Sequence, residues 1–179
     1  GLICPAKEAS IPVLDRGFLY GDSVYEVFRT YRGVPLFLDD HFERLENSAR
    51  LIQMQISQSR EELLFEIKRT AKIAGVSHDE DAYVRYQITR GDGQVDLYPD
   101  PNLKTRYVII VNTLPSHNAV FYDRGMYMMI PKVRRNPANA LDPNIKGGNY
   151  LNNIMGLTEA RQSGADDCVM LSRDGFVTE

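Results

Sequence analysis

The sequence predicts an α+β fold in two domains, and three observations support this prediction. Segments with strand-like alternation are interspersed with segments of helical periodicity over the first 113 residues. A polar stretch with a proline and no periodicity, residues 114–125, then separates them from further elements. The chain has 179 residues and 43% hydrophobic content, enough to bury a sizeable core. We therefore predict a small N-terminal α/β domain at 1–113, a linker at 114–125 and a second domain at 126–179.

The first predicted elements are a hairpin and two helices. β-Branched and aromatic residues at 23–31 lead into a turn at Arg32-Gly33, which is typical of a hairpin. Asp39 is the predicted N-cap of the first helix. Its apolar residues recur at helical spacing, at Phe42, Leu45, Ala49 and Ile52. A second helix is predicted from about Ser59 to Gly75, where the glycine would end it.

The remaining elements are mostly strands. Residues 82–90 and 106–113 are predicted strands of the first domain. The second domain is predicted to contain a strand at 125–133, a helix from about Asn149 to Gly164 and a final hairpin at 166–179, in which Phe176 and Val177 would be buried. About 60 residues are near the lower limit for an independent core. We therefore expect the C-terminal domain to be truncated.

Composition excludes several classes of function. The net charge is −3, so no bulk positive field is available to bind nucleic acid or an anionic membrane. The two cysteines, Cys4 and Cys168, have no zinc-type spacing, which argues against a metal site and indicates a reducing compartment. No apolar run reaches the roughly 18–20 residues that a bilayer requires. We expect a soluble, cytoplasmic protein.

The stretch PNIKGGNYLNNI, residues 143–154, places Lys146 between an isoleucine and two glycines. A lysine attacks carbonyl groups only when its amine is partly deprotonated, and apolar surroundings favour that state. Gly147-Gly148 would let a flat ligand approach the backbone closely. The alternative is a surface lysine in a glycine turn before a helix, and this stretch by itself leaves both interpretations open.

Two arginines are further candidates. Arg44 lies on the first predicted helix near His41, and its planar guanidinium would suit phosphate oxygens. The alternative is an exposed arginine paired with Glu43 or Glu46.

On the strand AYVRYQITR, alternation places Tyr83, Arg85 and Gln87 on one face. Arg85 beside a tyrosine could receive a carboxylate, or this face could be solvated. The acidic Glu179 is either a strand end at the surface or a partner for a buried cation.

Four segments in this order resemble the class IV, or fold-type IV, pyridoxal-phosphate aminotransferases. The segments are LDRGFLYGDSVYEVFRTYRGVPLFLDDHFERLENSARLI, YVRYQITRGDG, VRRNPANALDPNIKGGNYLNNIMGLTEA and GADDCVMLSRDGFVTE. The resemblance covers nearly the whole chain. It implies a D-amino-acid aminotransferase-like fold, in which a small α/β domain precedes a C-terminal pseudo-barrel domain.

The resemblance also implies roles for single residues. Lys146 would be the catalytic lysine, which forms the Schiff base with pyridoxal 5′-phosphate and then moves the substrate's α-proton. Arg44 would bind the cofactor phosphate, Tyr150 would lie near its phenolic oxygen, and Glu179 would keep its pyridine nitrogen protonated.

Substrate residues indicate the subgroup. Tyr83 and Arg85 resemble the strand on which branched-chain aminotransferases receive substrate carboxylates. Tyr20 and Tyr25 would line a pocket that holds either an aliphatic side chain or glutamate. The D-specific enzymes have an arginine and a histidine after this strand, and GDGQVDLYP at 91–99 has neither.

The predicted reaction transfers an amino group between a branched-chain L-amino acid and 2-oxoglutarate. A D-amino-acid aminotransferase, an (R)-amine transaminase and aminodeoxychorismate lyase are alternatives of the same fold. A catalytically inactive dimerisation or small-molecule-binding module is the alternative that is not an enzyme. The resemblance implies a homodimer or higher homo-oligomer.

Overall fold

The structure is a computed structural model that describes residues 1–77, 80–114 and 119–178. It divides into two compact units. Unit 1 contains Gly1–Pro115 together with Ile145–Gly148, and unit 2 contains Ser116–Asn144 and Asn149–Glu179. Each unit is built around its own elements.

A four-stranded antiparallel sheet forms the centre of unit 1. Its strands are β1 (Ser23–Tyr31), β2 (Val34–Pro35), β3 (Ala82–Thr89) and β4 (Arg106–Thr113), in the spatial order β2-β1-β3-β4. The turn between β1 and β2 has positive φ at both Arg32 and Gly33, 49° and 75°, as tight hairpins require. The predicted hairpin and the two later strands are confirmed.

The helices of unit 1 are a short 3₁₀ turn (Ala6–Glu8), α1 (Arg16–Tyr20), α2 (Leu38–Leu51) and α3 (Arg60–Ala74). The start of α3 confirms the prediction because Ser59 Oγ accepts from Glu62 N while the Glu62 carboxylate accepts from Ser59 N. Gly75 ends this helix at φ 71°. The predicted N-cap of α2 is wrong: the helix starts earlier, after Phe37 with φ 48°, so that Asp39 lies in its first turn.

The hydrophobic core of unit 1 lies between one face of the sheet and the two long helices. α2 packs on β1, and α3 packs on β4. The buried side chains come from every layer and are Val24, Phe28, Phe42, Leu45, Ala49, Met54, Leu63, Ile67, Ala82, Val84, Tyr86, Ile88 and Val111. The opposite, or open, face of the sheet carries the other half of each alternating strand.

Unit 2 contains α4 (Val120–Arg124), β5 (Met128–Met129), α5 (Leu151–Gln162) and β6 (Asp167–Cys168), with β5 and β6 parallel. The strand predicted at 125–133 is thus much shorter. α5 lies inside the predicted helix and packs on β6. An antiparallel bridge between Leu171 and Val177 closes the predicted final hairpin. Phe176 and Val177 are 73% and 72% exposed, so their predicted burial is wrong.

The boundary between the units differs from the predicted one in two places. Part of the predicted linker, 119–125, contains α4, and residues 115–118 lie outside the described residues. Residues 145–148, predicted in the second domain, belong to unit 1 because Gly147 bridges to Val24 of β1. The two glycines allow this backbone pairing.

Candidate active site

Strand β1 carries a buried carboxylate on its helix-facing side. Val24 and Phe28 on this side are core residues, and Glu26 between them is 0% exposed. A carboxylate removed from water is costly unless charged or polar groups replace the lost hydration. Glu26 must therefore have strong partners inside unit 1.

Those partners come from α2. Arg44 Nε and Nη2 donate to the two Glu26 oxygens at 2.5 and 2.7 Å, and His41 Nδ1 lies 2.7 Å from Oε2. Burial by itself raises the pKa of Glu26, but the hydrogen bonds from Arg44 and His41 outweigh it and lower the pKa below its ordinary value. Glu26 is therefore an ionised partner that fixes Arg44.

The pairing of Arg44 differs from the local alternative. Glu46 pairs with Arg60 at 2.6 Å, whereas Arg44 reaches across to Glu26 on the sheet. The Arg44 side chain as a whole remains 51% exposed. Sequence reasoning missed Glu26, although its position between two inward apolar residues of an alternating strand was a signal of burial.

Lys146 is held against β1 by its backbone. Its carbonyl accepts from Tyr25 N at 2.9 Å, and Gly148 N donates to the Ser23 carbonyl at 2.8 Å. On the helix side, Lys146 N donates to Ser48 Oγ at 3.1 Å. Ser48 is 0% exposed, and its hydroxyl donates to the Arg44 carbonyl at 2.8 Å. One hydroxyl therefore connects the lysine segment with the helix of Arg44.

The glycines after Lys146 are explained by close packing on β1. A Cβ atom at Gly148 would lie 2.1 Å from Ser23 Oγ, and one at Gly147 would lie 3.3 Å from the Ser23 carbonyl oxygen. We expected Gly147-Gly148 to leave room for a flat ligand. At Gly148 the space is instead occupied by Ser23.

The open face of the sheet brings three predicted residues together. Lys146 Nζ lies 4.8 Å from the centroid of the Tyr25 ring, and the Arg85 guanidinium carbon lies 3.6 Å from the same centroid. Both distances are within the range of cation–π attraction. Tyr83 lies two residues before Arg85 on this face and is half-buried. The burial of β3 alternates as predicted.

Arg85 is a half-buried cation that has no neutralising partner among the described residues. Its Nη2 donates to the side-chain oxygen of Gln87 at 3.0 Å, and Gln87 Nε2 lies 2.9 Å from Ser23 Oγ. Within the described ranges, no carboxylate lies within 4 Å of Arg85. A cation that has lost part of its hydration gains from an anion supplied by a ligand.

The structure describes two of the other predicted residues, Tyr20 and Tyr150, and does not describe Glu179. Tyr20 ends α1, where its ring centroid is 5.0 Å from the Arg16 guanidinium carbon, and the described contacts do not bring it to Tyr25. Tyr150 precedes α5 in unit 2 and is half-buried. Glu179 lies outside the described residues.

A second cationic network anchors the loop that follows β3. Arg16 is 4% exposed, and it donates to Asp22 at 3.0 Å and to the carbonyls of Asp96 and Leu97 at 2.6 and 2.8 Å. Burial raises the pKa of Asp22, but hydrogen bonds from Arg90 and Arg16 outweigh it and lower the pKa. The sequence analysis missed this network because its members are up to 81 residues apart.

These donors suit one kind of ligand. In the part of the chain that the structure describes, no group of three or more His, Cys, Asp or Glu side chains is placed to bind a metal ion. The same part contains no helix whose length and apolarity would let it span a membrane. A primary amine, an uncompensated guanidinium and a half-exposed guanidinium instead favour a small anion with a carbonyl group.

Comparison with known families agrees with this chemistry. The family described as "Amino-transferase class IV" matches residues 23–179. The chain belongs to the class IV aminotransferases. The recognition predicted from the four segments is thereby confirmed.

Individual relatives are similar in sequence. The putative branched-chain-amino-acid aminotransferase of Methanocaldococcus jannaschii is 33% identical, over all of this chain and 60% of that protein. The aminodeoxychorismate lyase of Bacillus subtilis is 31% identical, over 97% of this chain and 57% of that protein.

A solved class IV structure is also similar. The branched-chain aminotransferase from the thermophilic archaeon Thermoproteus uzoniensis, solved with norvaline, has a TM-score of 0.85 and 30% identity, over 97% of this chain and 58% of that chain. These likenesses confirm the predicted fold-type IV class. The chain spans about three fifths of the length of the relatives it matches.

Proposed function

We propose that the protein is an aminotransferase that moves an amino group between a branched-chain L-amino acid and 2-oxoglutarate, with pyridoxal 5′-phosphate as its cofactor. The observation that supports it most directly is the open face of unit 1. There the Lys146 amine and the uncompensated Arg85 guanidinium both contact the Tyr25 ring. A primary amine beside a cation that can bind a carboxylate is what an amino-acid-converting enzyme requires.

Four residues are proposed to hold the cofactor. Lys146 Nζ would bond its carbonyl carbon, and Arg44 would bind its phosphate, consistent with a guanidinium that Glu26 fixes and that is half exposed. Tyr150 and Glu179 would contact its ring on the ground of the family resemblance. When bound, pyridoxal phosphate supplies a protonated ring that accepts the electron pair left at the substrate's Cα.

The chain's own residues would then perform three tasks. Lys146 Nζ would act as the base and acid that moves the proton at the substrate's Cα atom. Arg85 would orient the substrate by binding a carboxylate, including the side-chain acid of glutamate. Tyr20, Tyr25 and Tyr83 would offer aromatic rings to an aliphatic side chain.

The alternatives of the same fold differ in their substrates. A D-amino-acid aminotransferase is disfavoured because residues 91–99 contain neither arginine nor histidine. An (R)-amine transaminase has an amine donor without a carboxylate, so only its 2-oxo acid acceptor would use the charge of Arg85. Aminodeoxychorismate lyase is the strongest competitor, because a relative with that name is 31% identical to this chain, against 28% for a D-alanine aminotransferase. A binding module without catalysis would leave Lys146 without a function.

We also propose a homodimer or higher homo-oligomer in the cytoplasm. Val95, Leu97 and Tyr98 of the anchored loop are 73–80% exposed, and contiguous exposed apolar residues are typical of interaction sites. The sequence contains only two cysteines, Cys4 and Cys168, without the spacing of a disulfide framework, which is consistent with a reducing compartment. Light scattering on the purified protein would measure the oligomeric state.

The proposed function is tested by reducing the protein with borohydride in the presence of pyridoxal phosphate and mapping the modified peptides. A phosphopyridoxyl group on Lys146 is expected. Other lysines, such as Lys104 and Lys132, are internal controls, because modification there at equal yield would indicate non-specific labelling. Assays with L-leucine, D-alanine and aminodeoxychorismate would then distinguish the candidate reactions.

A further inference from the structure

Arg85 is held differently from other arginines of unit 1. Arg16, Arg29 and Arg44 each donate to a carboxylate, so that a negative charge lies directly beside each of them. Arg85 instead donates to the neutral amide of Gln87. The hydrogen bond thus supports the position of the guanidinium group, while no carboxylate of the described ranges compensates its positive charge.

The amide of Gln87 is fixed at both ends. A guanidinium group can only donate, so the amide oxygen must face Arg85 and the amide nitrogen must point away. That nitrogen donates to Ser23 Oγ at 2.9 Å, and Ser23 is 1% exposed. Ser23 Oγ also lies 2.1 Å from the position that a Cβ atom at Gly148 would take, so it packs closely on this glycine. Ser23, Gln87 and Arg85 therefore form a chain of fixed direction on the open face.

We propose that Gln87 is a specificity-determining residue, which positions Arg85 without neutralising it and so preserves its charge for the acidic side chain of a dicarboxylate substrate. This inference rests on the proposed function. A carboxylate at position 87 would satisfy Arg85 internally and compete with the substrate. An apolar side chain there would leave the charge in place but remove the support.

The experiment measures equilibrium binding of two probes to the purified protein saturated with pyridoxal phosphate. Glutarate has a carboxylate at both ends, whereas 4-methylpentanoate has a carboxylate at one end and a branched aliphatic group at the other. Four variants are compared with the unmodified protein: Gln87→Glu, Gln87→Leu, Arg85→Leu and Gln58→Glu. The last is a matched control, because Gln58 is a half-buried amide that bonds Thr105, away from Arg85, and the charge change is the same.

We expect Gln87→Glu to raise the Kd for glutarate at least about tenfold, because the new carboxylate would pair with Arg85 in place of the carboxylate of glutarate. Gln87→Leu should raise the Kd for glutarate roughly threefold, because Arg85 loses one supporting hydrogen bond. The Kd for 4-methylpentanoate should change by less than about twofold in both variants. Unchanged binding of this second probe also shows that the variants are folded.

Three results would overturn the inference but leave the role of Arg85 intact. Gln87→Glu could bind glutarate as tightly as the unmodified protein while Arg85→Leu binds it more weakly, or Gln58→Glu could raise the Kd for glutarate as much as Gln87→Glu does. The third result is that Gln87→Glu raises the Kd for both probes equally. If Arg85→Leu binds glutarate as tightly as the unmodified protein, or if the unmodified protein does not bind glutarate, the proposed role of Arg85 is wrong. The inference about Gln87 is then wrong as well.

Discussion

Replacing Gly148 by alanine tests how the lysine segment is held. The new methyl group would lie 2.1 Å from Ser23 Oγ, far inside the 3.4–4 Å of an ordinary contact. Either the segment moves away from β1, at about 1–3 kcal/mol for an overpacked site, or Ser23 rotates. Rotation would break its bond with Gln87, at about 0.5–1.5 kcal/mol.

An effect on the unfolded chain opposes this loss in the free energy of unfolding. Gly148 does not have a left-handed backbone, so alanine stabilises by about 0.4–1 kcal/mol through the unfolded state. The net loss in the free energy of unfolding should therefore be about 1 kcal/mol. In a Ser23→Ala background the clash disappears, because the next atoms, Gln87 Nε2 and the Gly21 oxygen, are 3.5 Å away. There the substitution should be neutral or stabilising.

A double-mutant cycle by urea unfolding measures this coupling. The four proteins are the unmodified chain, Gly148→Ala, Ser23→Ala and the double variant. A coupling of about 1–2 kcal/mol is expected, with unchanged dependence on urea. If Gly148→Ala costs the same in both backgrounds, Ser23 does not pack on this segment and the placement of Lys146 against β1 is wrong.

Three further predictions concern the interior of unit 1. The Tyr86 hydroxyl is buried without a hydrogen-bond partner in the described structure. Tyr86→Phe should therefore raise the free energy of unfolding by about 0.5–1 kcal/mol, and a lower urea midpoint would contradict this. Glu26 has a lowered pKa, so its stabilisation is present above its ordinary pKa of 4.5 and is lost as the pH falls through the lower folded pKa. Urea midpoints should show that the penalty of Glu26→Gln shrinks as the pH falls below 4.5. Ser48→Ala should cost about 1–2 kcal/mol and speed exchange of the Lys146 amide hydrogen, while unchanged exchange would exclude the bond.

Elements determined by neighbouring residues could be predicted from the sequence. The start of α3 depends on Ser59 and Glu62, three residues apart, and the alternation of β3 is visible in eight consecutive residues. The start of α2 could not be found in this way. Asp39 is a favourable cap by residue type, but the backbone enters the helix earlier, through a left-handed Phe37.

Contacts between segments that are distant in the sequence cannot be predicted from local patterns. The sequence shows that Glu26 stands between Val24 and Phe28, but not that its cation would be Arg44, 18 residues later. An exposed pair of Arg44 with Glu43 or Glu46 along the helix would contribute little to stability, whereas a buried carboxylate strongly requires a cation. The pairing of residues 145–148 with β1 has the same origin, since it joins positions more than 100 residues apart.

Consecutive residues of β1 also explain how one strand can serve two kinds of cation. Glu26 points to the helices and pairs with Arg44, whereas Tyr25 points to the open face, where its ring contacts Lys146 and Arg85 without neutralising either. Because neighbouring side chains of a strand lie on opposite faces, the carboxylate that fixes Arg44 is directed away from the other two cations. An anionic substrate therefore gains most on the open face. Shifting β1 by one residue would exchange the two faces and place Glu26 where it could pair with Arg85.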